Sequence, residues 1–211
     1  MLIIAHRGYH AKAPENTLAS FEAAVALGVD GIETDIRLSA DGLPVLYHDR
    51  LAPDGRPVRD VTRRELEKLA GHAIPTLDQA LELFPQPLWL LEIKAPEALG
   101  QTLKLIRRFN SSRRLMVISF WHNVILTVAE ESNVECGLLI CHRPASEPPT
   151  LLELFTALVW NYEFMDAESL GEAKAQVRRN FVYGVVIRDD HEECKRLELD
   201  GVITDHPEFL L

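Results

Sequence analysis

Glu33 and Asp35 stand two residues apart within GIETDIRLSADGLPVLYHD, residues 31 to 49. Read with the period of a β-strand, Glu33, Asp35 and Arg37 share one face and Ile32, Thr34 and Ile36 the other. A strand packed among helices ordinarily reads as a near-continuous apolar run, so two acids on one face call for a neutralising cation. A second run, Trp89 to Lys94, aligns Leu90, Glu92 and Lys94, again setting an acid beside a base. Three carboxylates from two strands make an oxygen donor set for a divalent metal, Mg²⁺ or Ca²⁺ first and Mn²⁺ as a third choice, with positions left for water and phosphate. The bland alternative is a structural ion pair of Glu33 or Asp35 with Arg37 or Arg7.

His6 and His48 are the acid–base candidates, because imidazole both takes and gives a proton near neutral pH. Each follows a strand-like run, in AHRG at 5 to 8 and YHD at 47 to 49. Arg7 offers a planar fork for a phosphate and Lys94 a second positive charge, groups that stabilise charge building on a transferring phosphoryl centre. The remaining histidines, His10, His72, His122, His142, His191 and His206, have no matching acid cluster and read as ordinary core or surface residues.

Nine apolar runs must position these groups: Leu2 to Ala5, Gly31 to Arg37, Leu43 to Tyr47, Leu88 to Ile93, Leu115 to Ser119, Cys136 to Ile140, Leu158 to Tyr162, Val182 to Ile187 and Gly201 to Thr204. Helical patterns separate most of them, so a parallel sheet with outer helices is expected. The link Ser39-Ala40-Asp41-Gly42 is too short for a parallel crossover, so Leu43 to Tyr47 turns back beside the Glu33 strand and carries His48 at its end. The other eight fit an α/β (β/α)₈ TIM barrel, whose active site lies at the C-terminal ends of its strands. Residues 49 to 73 read as an excursion from the pattern, and residues 1 to 211 as one domain.

Composition excludes several classes. The net charge of −10 speaks against sequence-independent nucleic-acid binding, and Arg63-Arg64, Arg107-Arg108 and Arg178-Arg179 read as solvated helix faces. Cys136, Cys141 and Cys194 form no CxxC pair, so neither a disulfide scaffold nor a zinc site is indicated. The opening MLIIAHRG has no basic n-region, and no apolar stretch is long enough for export or for a membrane anchor, so the expected compartment is cytoplasmic.

The order of short motifs resembles the glycerophosphodiester phosphodiesterase family. The matching elements are AHRG at 5 to 8, PENT at 14 to 17, ETD at 33 to 35, HD at 48 and 49, IPTL at 74 to 77, LEIK at 91 to 94, SF at 119 and 120, and DGVITDHP at 200 to 207. The resemblance implies a barrel with Glu33, Asp35 and Glu92 on a divalent metal, His6 and His48 as the acid–base pair, and Arg7 near the phosphate. It also makes Glu15 and Lys94 supporting polar groups at the substrate. Asn16 or Thr17 is alternatively the cap of the following helix, and Asp205 a turn residue.

Two departures stand out. The Trp-Thr-Val-Asn run usual on the seventh strand of the family is replaced by VYGVVIRDD at 182 to 190, and the segment after HD lacks the usual Thr-Thr-Asn-Gly turn. With that aromatic wall missing and the lid short, the resemblance implies broad tolerance of the alcohol group. The expected reaction is hydrolysis of a small-molecule glycerophosphodiester to sn-glycerol 3-phosphate and an alcohol. Three alternatives stand beside it: a lysophospholipid or related phosphodiester substrate, a catalytically weak glycerophosphate-binding barrel, and an unrelated metal-dependent barrel enzyme acting on sugars.

Overall fold

A computed structural model describes residues 1–142, 155–175 and 179–211. Nine strands are present among them: β1 (Leu2–His6), β2 (Gly31–Leu38), β3 (Pro44–Leu46), β4 (Leu88–Ile93), β5 (Arg114–Ser119), β6 (Glu135–Ile140), β7 (Ala157–Asn161), β8 (Arg179–Val185) and β9 (Gly201–Thr204). Eight of them form a parallel sheet in the order β1, β9, β8, β7, β6, β5, β4, β2, and the β1–β2 pairing closes it. The fold is a (β/α)₈ barrel. The ninth, β3, pairs antiparallel with β2 through Leu38↔Pro44 and Ile36↔Leu46, as the short link requires.

The period of two in each strand sorts side chains into two cores. Ile32, Ile36, Trp89, Leu91 and Val117 point outward and pack with Phe21 of α1 (Leu18–Leu27) and other helical residues. Ile4, Leu90, Met116, Ile118, Leu139, Val159, Phe181 and Ile203 fill the interior. Gly31 is the floor position of β2: a Cβ there would lie 2.6 Å from the Leu88 carbonyl and 2.7 Å from Ile4 Cδ1. Two residues farther along the same face comes Glu33, and two more brings Asp35. The acids therefore belong to the upper layers of a barrel whose lower layers are apolar.

Between β3 and α3 (Leu77–Leu83), the chain builds a satellite core from Val45, Ala52, Val58, Val61, Leu66 and Ile74. Thr62 caps α2 (Arg63–Ala70) there, accepting from the Glu65 amide at 3.3 Å while Glu65 accepts from the Thr62 amide at 3.0 Å. The other helices are α4 (Leu99–Phe109), α5 (His122–Glu131), α6 (Ala167–Ala175) and α7 (Arg188–Arg196). No helix among the described residues is long and apolar enough to cross a membrane.

Arg179 corrects one expectation: it opens β8 rather than lying on a helix, and pairs with Glu135 at 2.7 Å. Arg178 lies outside the described residues. Cys136 and Cys194 are buried, with thiols pushed up to about 12 by burial, while Cys141 is exposed. His191 is a satisfied core residue, its ring bridging the Ile187 carbonyl and the Thr204 hydroxyl at 2.7 Å each.

Candidate active site

The strand registers bring the acids together. His6 lies opposite Glu33, and Asp35 opposite Glu92. Oxygens of Glu33, Asp35 and Glu92 lie within 4.8 Å of one another, on residues 2 %, 0 % and 7 % exposed. Two cations face the three acids. Lys94 Nζ bridges Glu92 Oε1 at 2.9 Å and Asp35 Oδ1 at 3.3 Å, and Arg7 Nε reaches Asp35 Oδ2 at 3.2 Å.

One negative charge is left over, and it falls on Glu33. Its Oε2 accepts from the Arg7 amide at 3.1 Å, but its Oε1 is buried with no hydrogen-bond partner among the described residues. Burial, then the charges of Asp35 and Glu92, raise the Glu33 carboxyl well above the usual range. Burial also pushes Asp35 up, but Lys94, Arg7 and the Asn16 hydrogen bond outweigh it and hold that carboxyl below its ordinary value. Burial dominates at Glu92, which is raised despite Lys94. An oxygen-only cluster with a surplus charge and an orphaned buried oxygen fits a hard divalent cation.

The loop after β1 aims the groups around this cluster. Arg7 takes a left-handed backbone at φ 55° and Gly8 follows at φ 78°, where a Cβ would come within 2.5 Å of Ser20 Oγ. That turn points the Arg7 amide at Glu33. The Arg7 guanidinium is held by Glu15, whose Oε2 accepts from Nη1 at 2.9 Å. Glu15 is half-exposed and lies behind Arg7, outside the lining of the cavity that the acids open into.

Thr17 caps α1, its hydroxyl accepting from the Ser20 amide at 3.2 Å. Asn16 is thereby released from capping, and its side chain donates to Asp35 Oδ2 at 2.8 Å and accepts from Thr34 Oγ1 at 2.7 Å. Of the two capping candidates only Thr17 caps, and Asn16 is part of the site. The expected turn residue Asp205 likewise does more. Its Oδ1 accepts from His6 Nδ1 at 2.6 Å and from His10 Nε2 at 2.9 Å. The hydrogen bonds and charges of His6 and His10 outweigh burial and hold the Asp205 carboxyl below the ordinary range. Sequence reasoning missed Asn16, His10 and Asp205 as site residues; the signals on offer were Asn16 within PENT, Asp205 within DGVITDHP and the place of His10 two residues after AHRG.

His6, Arg7, Glu33, His48, Glu92 and Lys94 all line one cavity of about 180 Å³. With its Nδ1 on Asp205, His6 turns Nε2 toward Glu33 Oε2 at 3.8 Å. His48 sets Nδ1 against Asp49 Oδ1 at 2.9 Å. The aromatic wall missing from the sequence pattern is filled in another way: Tyr183 and Phe120 meet edge to face with centroids 6.0 Å apart, and both line the cavity. A register shift between Tyr183 and Val185 interrupts β8 beside this wall.

Residues 6–209 match the glycerophosphoryl diester phosphodiesterase family model. A glycerophosphodiester phosphodiesterase of Caldanaerobacter subterraneus subsp. tengcongensis is 32 % identical over 233 residues, which cover 100 % of this chain and 96 % of the relative. The crystal structure of a glycerophosphodiester phosphodiesterase from Thermotoga maritima superposes with a TM-score of 0.86 at 28 % identity, covering 100 % of this chain and 96 % of that one. An Oleispira antarctica phosphodiesterase, solved in complex with the product sn-glycerol-3-phosphate, shares the fold at a TM-score of 0.85 and 24 % identity, covering 99 % and 94 %. A family match spanning nearly the whole barrel, joined by relatives that cover the chain from end to end, makes this chain a member of the glycerophosphoryl diester phosphodiesterase family.

Proposed function

We propose that this chain is a divalent-metal-dependent phosphoric diester hydrolase that converts glycerophosphodiesters into sn-glycerol 3-phosphate and an alcohol. The observation that carries the reading is the surplus negative charge at Glu33, in a cavity that two histidines also line. Glu33, Asp35 and Glu92 would hold the ion, and Arg7 and Lys94 would face the phosphate. The bound ion supplies Lewis-acid polarisation of the phosphoryl oxygens.

The chain's own residues account for the proton movements. His6 presents its Nδ1 to Asp205 and His48 its Nδ1 to Asp49, which leaves Nε2 of each ring for the substrate. One ring takes the proton of the attacking oxygen, either water, which gives sn-glycerol 3-phosphate directly, or a neighbouring glycerol hydroxyl, which gives a cyclic phosphodiester that water then opens with the proton roles reversed. The other protonates the departing alkoxide, so the P–O bond breaks without a free alkoxide leaving. Glu15 keeps the Arg7 fork in place and Asn16 keeps Asp35 facing inward. The same reading takes residues 1 to 211 as a single catalytic domain with a short insertion at about 49 to 73. The unbridged, buried Cys136 and Cys194 suit a reducing, cytoplasmic compartment.

Phosphorus NMR of the metal-loaded protein with glycerophosphocholine and glycerophosphoglycerol tests the proposal. Appearance of sn-glycerol 3-phosphate, abolished by excess chelator and restored by Mg²⁺, Ca²⁺ or Mn²⁺, is the expected outcome. Full turnover in excess chelator, or no turnover with any of the three ions, would refute it.

A further inference from the structure

Beside the catalytic cavity lies a second one of about 390 Å³, and Lys94 lines both. Its walls carry Arg37, Arg50, Arg59 and Lys94 against a single acid, Glu97. Glu97 stands 3.9 Å from Arg59, and Lys94 is engaged with Glu92 and Asp35. Arg37 donates through Nε to the His48 carbonyl at 2.8 Å and makes no ion pair among the described residues. Arg50 has no side-chain hydrogen bond or ion pair among them either. Arg37 feels Asp35, Glu92, Asp49 and Glu97 at longer range, so in a chain of net charge −10 the least compensated cation of this concavity is Arg50, with Arg37 beside it and no ion pair on either among the described residues.

The walls are anchored. Val58 donates to the Arg50 carbonyl at 3.0 Å and Ala52 to the Arg56 carbonyl at 2.8 Å, which pins the loop carrying Arg50 onto the insertion. Arg37 follows Ile36 on β2, tied to the backbone of His48. Trp121 is 48 % exposed, yet its indole Nε1 donates to the Lys94 carbonyl at 3.2 Å, so the ring stands as a fixed wall. A concavity with a held backbone and guanidinium charge in its walls attracts and orients anions, since the planar fork of Arg matches the oxygens of phosphate and carboxylate.

We infer that this second cavity is the subsite for the leaving alcohol and that it selects alcohols bearing a further anionic group, a phosphomonoester or a carboxylate. The inference rests on the phosphodiesterase reading above and replaces the broad alcohol tolerance expected from the sequence. It also gives the short insertion a role in specificity, since Arg50 and Arg59 come from it, and so do Pro57 and Val58 of the lining.

The test is the ratio of kcat/KM values on the metal-loaded enzyme. Four glycerophosphodiesters are compared: glycerophosphoglycerol carrying a terminal phosphomonoester, glycerophosphoserine, unmodified glycerophosphoglycerol and glycerophosphocholine. The phosphomonoester should exceed the neutral glycerol ester by about tenfold or more, the factor expected of one charge-assisted hydrogen bond. Glycerophosphoserine should fall between if carboxylate is also read, and choline should be worst. Raised salt should shrink the ratio. Arg50→Ala should bring it near one, Arg50→Glu should invert it and Arg50→Lys should keep part of it. Because two substrates are compared on one preparation, partial unfolding lowers both arms and leaves the ratio intact. A parent ratio near one, or a ratio unmoved by both Arg50→Ala and Arg50→Glu, overturns the inference while the phosphodiesterase reading stands. If the loaded parent hydrolyses none of the four, that reading fails and the subsite falls with it.

Discussion

Glu33→Gln should make the metal-free protein more stable while weakening its metal. Glu33, Asp35 and Glu92 are held by Arg7 and Lys94, with His6 3.8 Å from Glu33, and the unmatched charge lies on a side chain whose Oε1 has no hydrogen-bond partner among the described residues. A buried polar atom left unsatisfied costs about 1–3 kcal/mol. Gln keeps an oxygen for the Arg7 amide and turns an NH₂ toward the neighbouring carboxylates, so that cost is removed. For a chain of this size 1 kcal/mol is worth roughly 2–4 °C, which puts the metal-free variant roughly 2–12 °C above the parent in Tm. The difference must depend on pH. The folded Glu33 carboxyl is raised, so below its ordinary value of about 4.3 both states are protonated and no penalty exists. The penalty grows as the pH rises past that value, so the gap in Tm should open toward neutral pH and close in acid. Metal reverses the order: an ion at 100 times its Kd adds about 2.7 kcal/mol to the parent, while the variant binds it weakly. Differential scanning calorimetry with and without metal across pH 4 to 8 reads all of this. A metal-free variant no more stable than the parent, with its metal-induced shift in Tm preserved, would refute the charge count.

Three further outcomes are expected. His6→Ala and His48→Ala should each lose about 10²–10⁴-fold in rate, with metal binding by calorimetry retained; on a p-nitrophenyl phosphodiester, only the variant lacking the general acid should recover, which assigns the roles. Asp205→Asn should lower kcat more than KM and reduce stability by about 0.5–1 kcal/mol, a modest figure because the carboxylate is half-exposed; its folded carboxyl is depressed, so this contribution exists above the ordinary value of about 3.9 and vanishes as denaturation is followed into more acidic solution. Gly31→Ala should shift the urea midpoint downward by the equivalent of about 1–3 kcal/mol, since a Cβ there meets the Leu88 carbonyl at 2.6 Å.

The barrel and the metal-type cluster were legible in the order of residues alone, because both follow from period. Alternating side chains in GIETDI put Glu33 and Asp35 on the face of Gly31, and a link too short for a crossover could only return β3 beside β2. What that order could not contain is the meeting of residues far apart in the chain. Asp205 reads as a turn residue until β9 closes against β1 and sets its carboxylate on His6, 199 positions earlier. Asn16 and Thr17 are equivalent caps by residue type; the left-handed backbone at Asn16 sends one side chain to Asp35 and leaves the cap to the other. The absent tryptophan told of a missing wall, yet Tyr183 on β8 and Phe120 just after β5, which is not adjacent to β8, build one. Arg37 and Arg50 look like ordinary surface cations in the sequence. The cavity they share beside Lys94, and their having no ion pair among the described residues, exist only once β2 and the insertion are folded against each other. Local periodicity is written in neighbouring residues, whereas charge balance depends on every group that tertiary packing brings within a few ångströms.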